Sequence, residues 1–216
     1  QGVLVEGFTS LAYGMNAVSM FVLAAEKERP EVYSQTMLRP LAVGAPMLEA
    51  YAKAIEGTIP VGFTSDKGNE ALYDFGCTAI PVLPGCGKDL GQLTDEDLAS
   101  PKFTTEVSDC VQELREKINA RSASPVVCCS PFIGLLVPRI DSDGVLTTVA
   151  LQNVRIDAQG PVRLRLQDIP EGTKSVQWFE MKKEPVKLPV VTEGGNSYVT
   201  IPEIAAWNCG FLDFTR

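Results

Sequence analysis

The sequence predicts an α/β N-terminal portion followed by an all-β antiparallel sandwich. Three observations carry that expectation. In the stretch 161–168, Val162, Leu164 and Leu166 alternate with Arg163, Arg165 and Gln167, the mark of a strand with one apolar and one wet face. Upstream of about residue 125, short apolar runs alternate with helical spacings; downstream, short strand-like runs are divided by turn residues. Between them Arg121-Ser-Ala-Ser-Pro125 is small and polar, which suits a boundary. The chain accordingly divides into an α/β segment at 1–57, a small α/β segment at 58–124 and a C-terminal β-sandwich at 125–216.

Taken in order, residues 2–5 read as a strand arriving at Glu6, and Thr9 can cap a short helix over 10–13 that Gly14 ends. Residues 17–25 are a continuous apolar run, as buried parallel strands are. Pro30 suits the first turn of a helix carried by Val32, Tyr33 and Met37 until Pro40. Met47, Leu48, Tyr51 and Ile55 then share a helix face, with Gly57 as the stop. A strand at 59–63, a short helix at 69–75 and a strand at 78–83 repeat the alternation. Thr94 opens a helix over 95–98, and Val107, Cys110, Val111, Leu114 and Ile118 line a longer one ending near Ala120. Strands follow at 126–129, 134–140, 145–156, 162–166, 175–181, 186–191, 198–201 and 208–214. Asp141-Ser-Asp-Gly144, Asp157-Ala-Gln-Gly160, Glu171-Gly172 and Glu193-Gly-Gly-Asn196 serve as reversals between them.

Composition sets limits on function. A formal charge of −8 without any Lys/Arg cluster argues against a nucleic-acid partner. No apolar run approaches the roughly 20 residues a membrane helix takes, and 17–25 lies too near the start for a signal peptide with a basic leader. Histidine is absent, which removes Ser-His-Asp and Cys-His catalysis and imidazole metal sites within the chain. The six cysteines, Cys77, Cys86, Cys110, Cys128, Cys129 and Cys209, are scattered and read as free thiols, mostly buried. No cofactor or metal is expected, and compartment stays open.

Several stretches invite a site. Gly85-Cys-Gly-Lys88 followed by Gly91 hints at a phosphate loop, but Asp89 stands where the loop needs Ser or Thr and the glycine spacing fits neither nucleotide motif. Asp141 and Asp143 begin like a calcium loop but lack its closing acidic ligand, so a hairpin turn is the better reading. Trp178 and Trp207 offer aromatic faces suited to pyranose rings, against the commoner fate of core packing. Glu6, at the end of the expected first strand, occupies the position where barrel enzymes place catalytic groups. Glycoside hydrolysis takes two such carboxylates, and the spacing of Glu26 or Asp66 supports neither as the second. Cys86 and Lys88 could serve an unrelated small enzyme.

The segment Ser10-Leu-Ala-Tyr-Gly-Met-Asn-Ala-Val-Ser-Met-Phe-Val22 resembles the last turn of the (β/α)8 barrel in large bacterial glycoside hydrolases of the β-galactosidase-like clan. The stretch 59–120 is similar to the flavodoxin-like or amidotransferase-like domain that follows such barrels. The tail Val199-Thr-Ile-Pro-Glu-Ile-Ala-Ala-Trp-Asn-Cys-Gly-Phe-Leu212, with Pro202 five residues before Trp207, resembles the closing strands of glycosidase C-terminal sandwiches. The resemblance implies the C-terminal portion of a larger enzyme, accessory to hydrolysis of glycosidic bonds and inactive alone. It implies Glu6 as nucleophile and the acid/base Glu on an upstream strand absent from this chain. Carbohydrate is then the expected partner, alongside copies of the chain or the rest of the parent enzyme. The alternative is a free-standing carbohydrate- or protein-binding module acting through Trp178 or Trp207.

Overall fold

A computed structural model describes residues 2–15, 39–65, 78–83, 85–98 and 107–215. Ten strands form one curled, mixed sheet: β1 (Ile59–Ser65), β2 (Lys88–Leu93), β3 (Val126–Cys128), β4 (Gly134–Ile140), β5 (Leu146–Asn153), β6 (Val162–Leu166), β7 (Ser175–Glu180), β8 (Val186–Glu193), β9 (Asn196–Ile201) and β10 (Cys209–Asp213). Their order across the sheet is β2, β1, β4, β5, β10, β7, β8, β9, β6, β3, and only the β1–β2 pair of neighbouring strands is parallel. Four helices accompany them among the described residues: α1 (Gly2–Ala12), α2 (Arg39–Ala54), α3 (Asp95–Leu98) and α4 (Val107–Arg121).

The expected α/β N-terminal portion is therefore corrected. Residues 2–5 are not a strand: Leu4, Val5, Phe8 and Ala12 are all buried, a stripe with helical period, and the four-residue run Gly2–Val5 is too short to show its period by itself. Strands β1 and β2 do not build a separate parallel sheet either; Ile59 and Pro60 pair with Ile140 and Arg139, joining them to the antiparallel strands. The barrel ending loses its support with that first strand. Residues 17–25, the Pro30 helix as far as residue 38, and the 69–75 helix lie outside the described residues. The stretch 78–83 makes only isolated bridges, Phe63 to Val82 and Thr78 to Gly134.

The curl is made by β8. Its first half, 186–189, pairs with β7, and its second half, 190–193, pairs with β9, so one strand serves two layers. The layers face each other across a sandwich-like core in which Leu164, Leu166, Val199 and Ile201 meet Leu136, Val149, Leu151 and Leu212. The alternation of apolar and polar residues over 162–167 is realised in β6, whose Val162, Leu164 and Leu166 are buried. On its wet face Arg163 lies 4.2 Å from the Tyr198 ring centroid, bonds Glu193, and is held in its charged form chiefly by that hydrogen bond.

The outer face of the larger layer is covered by α1 and α2. Phe8, Tyr51, Phe211 and Phe179 form an unbroken aromatic series with centroid separations of 4.6, 4.8 and 4.6 Å. Gly44 lets the helices approach, since a Cβ there would overlap Leu4. Gly14, at φ 89, ends α1 in a Schellman motif: its N–H donates to Leu11 O and that of Met15 to Ser10 O, both at 3.0 Å. The buried Arg139 guanidinium then donates to Ala12 O at 2.8 Å and to Thr58 O at 2.7 Å, placing a cation at the helix C-terminus. These contacts fix α1 beside the starts and ends of β4 and β5, where the site lies.

Candidate functional site: a groove between helix α1 and Trp207

At one end of the sheet a groove of about 540 Å³ opens between α1 and the β4–β5 edge. Glu6, Thr9 and Ser10 reach it from one face of the helix, three and four residues apart as a helical stripe requires. Leu135 of β4 and Gln152 of β5 line it from the sheet, and Trp207 lines it from the segment before β10. Glu6 is exposed, and no hydrogen bond or ion pair engages its carboxylate among the described residues. Thr9 Oγ1 lies 2.8 Å from Val5 O and 2.5 Å from Gln152 Oε1. A hydroxyl has one proton to give, so turning the amide to present its NH₂ to Thr9 satisfies both contacts and leaves the Gln152 carbonyl oxygen toward the groove.

Trp207 is 51 % exposed and has φ 48, in the left-handed region that bulky L-residues avoid. The surrounding backbone over-determines it. Trp207 N–H donates to Arg155 O at 3.1 Å. Buried Asn153 stands within 3.0 Å of Ile204 O and Ala205 O through Nδ2, while its Oδ1 accepts from Arg155 N–H and Gln159 Nε2. On the other side Glu180 Oε1 accepts from Ala205 N–H at 3.2 Å and from Asn208 Nδ2 at 2.9 Å, and Lys183 pairs with Glu180 at 3.0 Å. The Trp207 backbone is thus flanked by buried polar networks on both sides, while half of the residue stays exposed.

The structure thus brings two of the sequence candidates, Glu6 and Trp207, to one groove and sets the third apart. Trp178 sits in β7, only 4 % exposed, with its ring over Gly210; one edge borders a smaller cleft with Glu180 and Val186. Glu6 is on a helix rather than at a strand end, and it is the one carboxylate lining the groove among the described residues. Glu26 and Asp66 lie outside the described residues. Gly85, Cys86 and Gly87 lead into edge strand β2, not into a helix, so no helix N-terminus faces them. Asp141 is used by its own turn, its Oδ1 accepting from Asp143 and Val145 N–H at 2.9 Å each. Of the other groove residues, Thr9 and Ser10 are marked in the sequence only by the helical stripe 6, 9, 10, which the strand-length run 2–5 conceals, and Gln152 by no pattern.

Among the described residues no group of three or more His, Cys, Asp or Glu side chains is placed to hold a metal ion. Of the described thiols, Cys128 and Cys209 are buried, Cys129 is half-buried and Cys86 is exposed; burial pushes Cys209 up to about 12. Cys77 lies outside the described residues.

No protein family and no curated protein sequence matches this chain. Among solved structures, the likeness is weak. α-L-Fucosidase isoenzyme 2 from Paenibacillus thiaminolyticus is 10 % identical with a TM-score of 0.30, over 52 % of this chain and 19 % of that one. The cycloisomaltooligosaccharide glucanotransferase of Paenibacillus sp., solved with cycloisomaltoheptaose, is 10 % identical with a TM-score of 0.28, over 69 % of this chain and 27 % of that one. Both are glycoside-active enzymes, and this chain spans well under a third of either.

Proposed function

We propose that this chain is a carbohydrate-binding, sandwich-like module of a carbohydrate-active enzyme, and that the α1–Trp207 groove is its sugar site. The observation that supports this reading is Trp207: an exposed indole on a left-handed backbone that lines the same groove as Glu6, Thr9 and Ser10. A pyranose presents an apolar C–H face and a rim of hydroxyls. The indole face takes the first, while a carboxylate, hydroxyls and an amide take the second. In this reading Glu6 accepts hydrogen bonds from sugar hydroxyls. One carboxylate supplies binding, whereas hydrolysis by either stereochemical route takes two.

Titration of the chain with neutral oligosaccharides, followed by calorimetry and tryptophan emission, tests the proposal. Binding of a sugar should be weakened about 30-fold or more by Trp207→Ala, as expected of a central aromatic contact worth about 2 kcal/mol. Glu6→Gln should weaken it by about three- to tenfold, the difference between a charge-assisted and a neutral hydrogen bond. A flat response across glucans, xylans, galactans, chitin oligomers and fucosylated glycans would remove the sugar assignment.

A further inference from the structure

We propose that a second cleft, on the other side of the loop that holds Trp207, is an additional sugar subsite, so that the module takes an oligosaccharide laid across a ridge rather than one isolated ring. The inference rests on the reading of the Trp207 groove as a carbohydrate site and extends it to the form of the ligand. The cleft measures about 320 Å³ and is lined by Arg155, Asp157, Gln159, Phe132, Pro161 and Val162. Phe132 and Val162 belong to the sandwich core, so the cleft opens at the mouth of the sandwich, whereas the first groove lies on the helix-covered face.

One residue joins the two. Arg155 gives its carbonyl to the Trp207 N–H at 3.1 Å and also lines the second cleft. Ile156, 76 % exposed, follows it in the loop. The loop itself is fixed: Gln159 donates to Ile133 O at 2.6 Å and to Asn153 Oδ1 at 2.5 Å and accepts from Ile133 N–H at 2.8 Å. The same buried Asn153 that steadies the Trp207 backbone therefore steadies the floor of the second cleft.

The chemistry of the lining selects the ligand. Arg155 and Asp157 are exposed, and no hydrogen bond or ion pair engages either charged group among the described residues. A cation would meet the guanidinium and an anion the carboxylate, each unfavourably. A neutral polyol satisfies both, its oxygens accepting from Arg155 and its hydroxyls donating to Asp157. Two linked sites engage one chain with a local concentration far above that in solution, so affinity should grow with chain length.

The experiment is calorimetric titration of the 216-residue chain with glucan, xylan, galactan and chitin ladders from disaccharide to hexasaccharide. The expected result is a ladder whose longer members bind about tenfold more tightly than its disaccharide, roughly the worth of one charge-assisted hydrogen bond. Arg155→Ala and Asp157→Ala, both at exposed side chains whose backbone bonds are kept, should each erase most of that gain and leave disaccharide affinity unchanged. Trp207→Ala should weaken every member alike. Trp207-dependent binding that is independent of length, or a length effect untouched by both variants, overturns the second subsite and leaves the first groove standing. No binding by any ladder overturns both.

Discussion

A side chain with a Cβ costs about 1 kcal/mol or more in the left-handed region, and Trp207 bears that cost at φ 48 while leaving half its surface in water. Two substitutions separate the ring from the strain. Trp207→Ala and Trp207→Gly should lose sugar binding equally, but the glycine variant should be the more stable by about 1 kcal/mol, because only glycine adopts this backbone freely. Urea midpoints of the two variants check it; an alanine variant as stable as the glycine one would mean the backbone stores no strain there. Arg115 presents the opposite case, a cation spent wholly on structure. It is 3 % exposed and donates to the carbonyls of Thr78 at 2.7 Å, Ser130 at 2.7 Å and Phe132 at 2.6 Å, and burial draws its pKa down. Arg115→Leu should destabilise the protein by about 3 kcal/mol or more, since those acceptors lose their donor inside the protein. Arg115→Lys should recover only part of this, an ammonium lacking the planar fork that spans the three carbonyls.

Between elements, the short helix α3 is tied to α4 through one carboxylate. Asp97 accepts from Thr94 N–H and Oγ1 at 2.9 Å each, in a reciprocal capping arrangement, and from Arg121 Nη2 at 2.8 Å. Burial alone would raise its pKa, but the Thr94 amide, Arg121 and the Thr94 hydroxyl outweigh it and hold the carboxyl below its ordinary value. A depressed carboxyl stabilises the fold fully above its unfolded value of about 3.9, and that stability drains away as pH falls through the folded value. Thermal midpoints should therefore drop below about pH 4 in the wild type, and the drop should be shallower in Asp97→Asn, which should be weaker at neutral pH by about 1 kcal/mol. Packing between strands is as exacting at Gly210, where a Cβ would overlap the Phe179 carbonyl and the Trp178 ring. Gly210→Ala should lower the thermal midpoint by an amount equivalent to about 1–3 kcal/mol, measured by circular dichroism.

Legibility follows from the same local chemistry. Strands β4 to β10 could be read because alternation and Gly/Asp/Asn turns are local signals, and α4 because its apolar stripe runs for several turns. Helix α1 could not, because its opening run is as long as a strand and only Phe8 and Ala12, further on, reveal the period. Of the groove, Glu6 and Trp207 were visible as residue types but not as neighbours, since that neighbourhood depends on α1 lying against β4 and β5. Gln152, Arg155 and Asp157 carry no spacing that marks them. Trp178 and Trp207 are told apart by register: Trp178 falls on the inward phase of β7, and Trp207 precedes β10 in a loop whose backbone no propensity foretells.

Across the whole molecule, the layers and their helix cover share their strands. Beta-strand β8 belongs to both layers, and β5 and β10 carry the sandwich core on one face and the aromatic series on the other. Denaturant unfolding followed by Trp178 emission and by far-ultraviolet dichroism should therefore coincide in a single transition; separated midpoints would show that the layers unfold independently. Strand β10 occupies the centre of the larger layer, with β5 on one side and β7 on the other. During synthesis, then, the two strands that flank it are made before it: β5 and β7 wait as two open edges until the ribosome has delivered Asp213. The larger layer is closed by a keystone and not grown by addition, so a chain from which β10 is deleted would be left with two unpaired inner strands, β5 and β7, for a chaperone or protease to recognise.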